Sequence, residues 1–227
     1  MIVAIDGPAG AGKSSVAQAV AERLSLQYVN TGAIYRTLAY MAKEEGVPWE
    51  EPARLAALAA RLTIRFVMRD GVNTVHVSLD GGEPREVTGV IRAPEISRAT
   101  SRISAFPEVR AALLELQRQL GRASDSLLEG RDIGTVVFPD ADVKLYLTAS
   151  SRERAGRRRA QQLEAASDPS TVPSLESIAQ EIEERDERDA NRAVAPLRAA
   201  ADAVSIDTTG VEFDEVVEQV LSAIRSA

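Results

Sequence analysis

The sequence predicts an α/β protein of three layers, in which helices cover both faces of a five-stranded parallel sheet. Short apolar runs alternate with helical patterns along most of the chain, and this alternation is typical of parallel sheets. A β-rich stretch and two arginine-rich helical segments interrupt the alternation. They predict a small β-rich insertion and a helical lid added to the core. The predicted core strands are residues 2–5, 27–29, 126–129, 143–147 and 203–207.

The first half of the chain begins as a strand–helix–strand unit. Residues 2–5 enter a glycine-rich turn, and a helical pattern follows over residues 13–24. After the second strand, Thr31 is predicted to cap a helix that Gly46 ends. Residues 51–62 predict a further helix.

The sequence pattern then changes to one that is typical of a β-hairpin. Residues 64–68 and 74–79 alternate between apolar and polar side chains, with Asp70-Gly71 between them. Residues 86–90 predict a third strand beside this hairpin. We therefore expect residues 64–103, approximately, to form the insertion.

The second half of the chain returns to the parallel pattern. Ser167-Asp168-Pro169-Ser170 joins the two arginine-rich helical segments. Further helices are predicted over residues 95–104, from Pro107, over residues 151–164 and 175–190, and from Phe213. We expect a single domain over residues 1–227, with its core in residues 1–63, 104–150 and 195–227 and the lid in residues 151–194.

The composition excludes several functional classes. The chain of 227 residues has no cysteine, which excludes disulfide scaffolds, thiolate zinc sites and cysteine nucleophiles. His76 is the single histidine, so a two-histidine metal site is excluded as well. The net charge of −7 weighs against nucleic-acid binding. The apolar runs at residues 1–5 and 55–60 are too short for a signal peptide or a membrane span, so we expect a soluble, cytoplasmic protein.

A phosphate-binding pattern lies between the first strand and the first helix. Gly7-Pro8-Ala9-Gly10-Ala11-Gly12-Lys13-Ser14 fits G-x-x-x-x-G-K-[ST]. Glycines let backbone N–H groups face the phosphates, and the start of the helix adds positive potential. Lys13 is expected to reach the β- and γ-phosphates and the Ser14 hydroxyl to bind Mg²⁺. The predicted ATP-binding residues are Gly7, Pro8, Ala9, Gly10, Ala11, Gly12, Lys13, Ser14 and Ser15.

The pattern indicates a nucleoside triphosphate without naming the acceptor. GTPases, transporters, helicases and small-molecule kinases share it, and a non-enzymatic switch remains an alternative. The sequence lacks an N-K-x-D segment for guanine. The modest size of the chain and its arginine clusters favour transfer to a small phosphorylated acceptor.

Two further segments follow predicted parallel strands at the edge where ligands of such sheets bind. Asn30-Thr31-Gly32-Ala33-Ile34-Tyr35-Arg36 follows the second strand. Glu129-Gly130-Arg131-Asp132-Ile133-Gly134-Thr135 leaves the third. An Arg-Asp pair at this edge predicts a binding role rather than a solvated surface.

Three more motifs lie further along the chain: AFPEVR at residues 105–110, GTVVFPDA at residues 134–141 and RDERDANRAVAP at residues 185–196. Together with the segments above, they resemble the bacterial cytidylate kinase family. The order and spacing of the motifs match over essentially the whole chain. The resemblance implies a fold of the phosphate-loop kinase type, with a nucleoside-monophosphate-binding insertion. It also implies transfer of the γ-phosphoryl group of ATP to CMP or dCMP. Asn30 departs from the family, which usually has aspartate there, so a role that needs a negative charge at this position is in doubt.

The resemblance also assigns roles to individual residues. It implies that Arg36 and Arg131 hold the α-phosphate of the acceptor, with Arg192 as a third member. Ser101, Arg110 and Asp132 resemble the residues that recognise cytosine, whose exocyclic amine needs an acceptor such as a carboxylate. Thr31, Arg185 and Asp189 resemble sugar and phosphate contacts.

Two arginine-rich helices remain. One helix face is predicted to hold Arg185, Arg188, Asp189 and Arg192, although an exposed helix with internal ion pairs would show the same spacing. At least one of Arg154, Arg157 and Arg158 is predicted to be catalytic in a mobile lid, the alternative being a solvated basic helix. The predicted catalytic residues are Lys13, Arg131, Arg154, Arg158 and Arg192.

The sequence therefore predicts a monomeric (d)CMP kinase that uses ATP and Mg²⁺ and binds neither nucleic acid nor membranes. Two alternatives remain open at this point. One is a kinase for another monophosphate, chiefly UMP, and the other is a regulatory module that binds ATP without transferring phosphate.

Overall fold

The computed structural model describes residues 1–69, 72–166 and 168–226. The predicted turn at Asp70-Gly71 and Ser167 of the predicted joining segment lie outside the described residues. The strands are β1 (Ile2–Asp6), β2 (Gln27–Asn30), β3 (Leu62–Arg69), β4 (Val72–Leu79), β5 (Arg85–Glu86), β6 (Ser126–Glu129), β7 (Val143–Thr148) and β8 (Val204–Asp207). The helices are α1 (Lys13–Leu24), α2 (Thr31–Glu44), α3 (Pro52–Ala59), α4 (Pro94–Ile103), α5 (Pro107–Arg122), α6 (Ser151–Ala165), α7 (Leu175–Ala190) and α8 (Phe213–Arg225).

The central sheet contains five parallel strands in the order β2-β6-β1-β7-β8, which confirms the predicted fold class. Alternate side chains of β1 point to opposite faces. Val3 and Ile5 belong to a core that α1 and α8 cover, whereas Ala4 belongs to a second core under α2 and α5. All three side chains are fully buried, as expected for a central strand with helices on both faces.

The β-rich insertion is a three-stranded antiparallel sheet in the order β3-β4-β5. The predicted strand over residues 86–90 is wrong in its extent, because β5 contains two residues and a 3₁₀ turn at Val90–Arg92 follows. After Glu86 the chain enters this 3₁₀ turn, and Gly89 at its start has helical φ and ψ angles of −74° and −51°. The helix predicted over residues 51–62 is too long at its C-terminal end, because Leu62 pairs with Leu79 as the first residue of β3.

Helices α6 and α7 pack against each other through a small apolar cluster of their own. Ala155, Ile178 and Ile182 form its buried centre. This cluster is separate from the two cores that cover the sheet. In the part of the chain that the structure describes, no helix is both long enough and apolar enough to cross a membrane.

Candidate active site

The carboxyl ends of the central strands bring three distant segments to one edge of the sheet. Asn30 at the end of β2 pairs with Glu129 at the end of β6, and Glu129 pairs with Ile5 of β1. The phosphate loop, which we define as residues 7–14, therefore leaves the sheet beside the segments that begin at Asn30 and at Gly130. Open parallel sheets bind their ligands at this edge.

The phosphate loop has a backbone that only glycine adopts readily. Gly7, Gly10 and Gly12 have φ angles of 147°, 76° and 85°. A Cβ atom at Gly7 would lie 1.9 Å from the carbonyl oxygen of Leu147, and one at Gly10 would lie 3.0 Å from the Cβ of Arg154. The loop therefore packs closely against β7 and α6, and α1 begins directly after it.

Lys13 and Ser14 lie where the loop becomes helix α1. The Lys13 side chain is buried, and its Nζ donates to the Pro8 carbonyl at 2.6 Å. Burial lowers the pKa of Lys13 well below its usual range, and the nearby Arg131 guanidinium lowers it further. Ser14 is exposed and lies beside the Tyr28 hydroxyl. A buried ammonium beside a glycine loop fits a bound polyphosphate, which would stabilise the charged form of Lys13.

Two buried carboxylates at this edge were missed by the sequence predictions. Asp6 accepts the backbone N–H groups of Ile133 and Gly134, both at 2.8 Å, and burial raises its pKa to about 6. Glu129 accepts a hydrogen bond from the Tyr28 hydroxyl. Both carboxylates end apolar strands at the ligand-binding edge, and that position is the signal that could have identified them.

The start of α2 corrects one prediction. Asn30, not Thr31, caps the helix, because the Asn30 Oδ1 accepts the N–H of Ala33 at 2.9 Å. Thr31 is the first helical residue, and its hydroxyl donates to the Glu129 carbonyl at 2.7 Å. Capping needs only an acceptor oxygen, so the amide of Asn30 serves at this position without a negative charge.

Three of the predicted arginines surround Asp189, and a fourth, Arg36, lies close enough to Arg185 to lower its pKa. We use the term acceptor cluster for Arg36, Arg131, Arg185, Asp189 and Arg192. Arg131 Nε donates to Asp189 at 3.1 Å, and Arg192 Nη1 lies 3.8 Å from the same carboxylate. Burial raises the pKa of Asp189, but the surrounding arginines outweigh it and hold that pKa below its usual range.

The acceptor cluster has more positive charge than its own carboxylate neutralises. Burial, reinforced by Arg131, lowers the pKa of Arg185 to about 10. Among the residues that the structure describes, the Nε atoms of Arg36, Arg185 and Arg192 are buried without a hydrogen-bond partner. Buried donors without partners are costly, so this arrangement fits a bound anion.

A second group of buried polar side chains comes from α2, α4, α5 and the turn after β6. Arg110 and Asp132 form a buried ion pair, and the Arg110 guanidinium lies 5.7 Å from the centre of the Tyr35 ring. The hydroxyls of Tyr35 and Ser101 are buried, and neither has a hydrogen-bond partner within the described part of the chain. The predicted site residues did not include Tyr35, although it lies in the segment from Asn30 to Arg36 that follows β2.

The three lid arginines occupy different environments. Arg154 is buried, donates to the carbonyls of Ala149 and Ala9, each at 2.9 Å, and pairs with Asp186. Arg157 donates to the side chain and the carbonyl of Thr208. Arg158 is exposed, donates to Gln161 and lowers the pKa of Arg185. Arg154 therefore contacts the phosphate loop, whereas Arg158 lies near the acceptor cluster and forms no ion pair with another described residue.

Comparison with known sequences decides the family. A sequence model described as cytidylate kinase matches residues 3–226. The chain belongs to the cytidylate kinase family. Members of this family are nucleoside monophosphate kinases, which use ATP as the phosphate donor and small molecules as substrates.

Individual relatives agree over nearly the whole chain. A cytidylate kinase of Shewanella loihica is 47% identical over 224 residues, which cover 99% of this chain and 94% of the relative. A cytidylate kinase of Geobacter sulfurreducens is 48% identical over 225 residues, covering 99% and 93%. A bifunctional pantoate ligase/cytidylate kinase of a Synechococcus strain is 47% identical, and this chain spans 42% of its length.

Solved structures agree with the fold. A gluconokinase from Sinorhizobium meliloti has a TM-score of 0.50 at 14% identity, covering 99% of this chain and 91% of its own. An uncharacterized protein from Eubacterium ventriosum has a TM-score of 0.54 at 11% identity, covering 100% and 99%. At these identities the likeness shows the fold alone.

Proposed function

We propose that the chain transfers the γ-phosphoryl group of ATP to CMP or dCMP and releases ADP with CDP or dCDP. One observation carries the proposal: two separate anion-binding arrangements share one edge of the sheet. The phosphate loop is the first, and the acceptor cluster is the second. The Arg131 guanidinium of the acceptor cluster lowers the pKa of Lys13 in the phosphate loop, so the two arrangements lie close enough for their charges to interact.

The donor side is assigned to residues 7–15. The backbone N–H groups of the phosphate loop hold the phosphates, and Lys13 neutralises the β- and γ-phosphoryl oxygens. The exposed Ser14 hydroxyl, at the start of α1 directly after the glycine loop, is the group that would hold Mg²⁺ together with phosphate oxygens. When bound, Mg²⁺ would supply positive charge to the transferring group.

The acceptor side is assigned to the acceptor cluster and to the buried polar group around Arg110. Arg36, Arg131, Arg185 and Arg192 hold the α-phosphate, and Asp189 faces a ribose hydroxyl. Asp132 accepts the exocyclic amine of cytosine, while Arg110 and Ser101 donate to its O2/N3 side. Uracil presents an acceptor where cytosine has that amine, so UMP is disfavoured.

The reaction needs no protein nucleophile, because the acceptor phosphate is already an anion. An oxygen of that phosphate forms a bond to the γ-phosphorus as the bond to the bridging oxygen of ADP breaks. Lys13, Arg131 and the lid arginines stabilise the negative charge that spreads over the transferring oxygens. The protein acts as a monomer in the cytoplasm, and it needs neither nucleic acid nor a membrane for this chemistry.

The test is ADP production from ATP and Mg²⁺ with CMP, dCMP, UMP, AMP and GMP in turn. We expect high turnover with CMP and dCMP, low turnover with UMP and none with the purine nucleotides. Asp132→Asn should lower kcat/KM for CMP and narrow the preference for CMP over UMP, because an amide can also donate to uracil. Asp140→Asn, on the exposed part of the same segment, is the matched control.

Each other outcome favours one alternative. High turnover with UMP or a purine nucleotide would keep the kinase mechanism and overturn the assignment of Ser101, Arg110 and Asp132. Binding of ATP with no acceptor-dependent turnover would favour the regulatory module.

A further inference from the structure

Asp186 is an acidic side chain of α7 that contacts the phosphate loop. Its Oδ1 accepts a hydrogen bond from the backbone N–H of Ala9 at 3.2 Å, and its Oδ2 accepts one from Nη1 of Arg154. The same Nη1 also donates to the Ala9 carbonyl at 2.9 Å. One carboxylate thus occupies both a backbone donor of the phosphate loop and an arginine of the lid.

The contacts of Asp186 are those that a terminal phosphoryl group would seek. Such a group is an anion that accepts hydrogen bonds from backbone N–H groups and from arginine. An ionised carboxylate is likewise an acceptor without donors. A γ-phosphoryl group on the loop and the Asp186 carboxylate would therefore compete for Ala9 and Arg154, and their negative charges would repel each other.

The neighbours of Asp186 on α7 connect it to the acceptor cluster. Arg185 precedes it directly and Asp189 follows three residues later, and both belong to that cluster. The helix therefore presents a carboxylate to the donor site and charged side chains to the acceptor site at the same time. A phosphate bound to Arg131 and Arg185 would exert an electrostatic force on α7, the helix that carries Asp186.

On the basis of the proposed kinase activity, we infer that Asp186 determines the choice between water and a nucleotide as the phosphoryl acceptor. While the acceptor cluster is empty, Asp186 holds Arg154 and disfavours the γ-phosphoryl group on the loop. Binding of the acceptor phosphate moves α7 and releases Arg154 to the transferring group. Without this restraint, a water oxygen would bond to the γ-phosphorus as the bond to ADP breaks, releasing a proton to solvent.

The experiment replaces the charge of Asp186 and keeps its shape. Asp186→Asn in the full chain is compared with wild type and with Glu187→Gln, which removes one charge from an exposed neighbour on the same helix. Calorimetry measures the affinity for Mg²⁺ and a non-hydrolysable ATP analogue, and for ADP, without acceptor. A coupled assay measures ADP production without and with CMP.

We expect Asp186→Asn to bind the triphosphate analogue about tenfold more tightly, as removal of a like-charge repulsion predicts. Its affinity for ADP, which lacks the γ-phosphoryl group, should change much less. ADP production without acceptor should rise several-fold, and Glu187→Gln should resemble wild type in all of these measurements. Asp186→Ser, a smaller neutral variant, should reproduce the effect if Asp186→Asn does not fold.

Unchanged or weaker binding of the analogue by a folded neutral variant would overturn the inference and leave Asp186 as an anchor between helices. Failure of both neutral variants to fold would overturn it too, because the carboxylate would then be essential to the structure. These results differ from a failure of the proposed function. In that case wild type itself would show no CMP-dependent formation of ADP.

Discussion

Arg131 and Asp189 connect the edge of the central sheet to helix α7 through a hydrogen bond of 3.1 Å between Nε and Oδ2. Arg131 follows β6, whereas Asp189 lies near the end of α7. The carboxylate is buried and also faces Arg185 and Arg192. The acceptor cluster therefore forms only when the lid region and the core are packed together.

Asp189→Asn should destabilise the fold, because it leaves buried arginines without a carboxylate. Removal of one partner from a buried ion pair costs about 3 kcal/mol of unfolding free energy. Inorganic phosphate should raise the melting temperature of this variant more than that of wild type, because the anion replaces the lost charge. Thermal unfolding with and without phosphate measures both effects, with the exposed Glu183→Gln as the control.

Lys13→Ala should abolish turnover and still fold. The ammonium is needed to neutralise the transferring phosphoryl group, but its burial disfavours the charged form in the free protein. We therefore expect the melting temperature to stay the same or rise. ADP production and thermal unfolding are measured alongside Lys43→Ala, an exposed control, and full activity of Lys13→Ala would falsify the role of the loop.

The lid arginines should separate into two classes. Arg154→Ala should lower both kcat and the melting temperature, because Arg154 bridges Ala149, Ala9 and Asp186. Arg158→Ala should lower kcat with little effect on the melting temperature, because its side chain is exposed. The exposed Arg152→Ala is the control. Normal kcat in alanine variants of Arg154, Arg157 and Arg158 alike would contradict the catalytic lid.

Asp6 should make the stability of the protein depend on pH below neutrality. Burial raises its pKa from 3.8 to about 6, so the folded state holds this proton more tightly than the unfolded state does. The resulting stabilisation is complete below about pH 4 and is lost as the pH rises through 6, a change of about 3 kcal/mol at most.

Urea unfolding at several pH values tests this expectation with Asp6→Asn. As the pH rises from 4 to 6, the unfolding free energy of wild type should fall relative to that of the variant. Asp140→Asn, which alters an exposed carboxylate, should leave the wild-type slope intact. A slope in Asp6→Asn equal to that of wild type would show that Asp6 does not titrate there.

Much of the fold was predictable, because local sequence patterns determine where most of its strands and helices lie. The five parallel strands and helices α1, α6 and α7 agree with the predictions to within one or two residues, since periodicity and the glycine turn define them. Residues 86–90 and the cap of α2 were predicted wrongly. After Glu86 the chain enters a 3₁₀ turn instead of continuing the strand, and the preceding residue, Asn30, supplies the acceptor that caps α2.

The sequence by itself determined that a nucleotide-binding loop lies between a buried strand and a helix, and that arginines accompany it. Those features follow from residue types at short spacing, where backbone geometry leaves few choices. Only the tertiary structure decided which charges meet, because strand order and helix packing bring together residues far apart in the chain. The pairing of Asp6 with Ile133 and Gly134, and of Asp186 with Arg154 and Ala9, belongs to that second class.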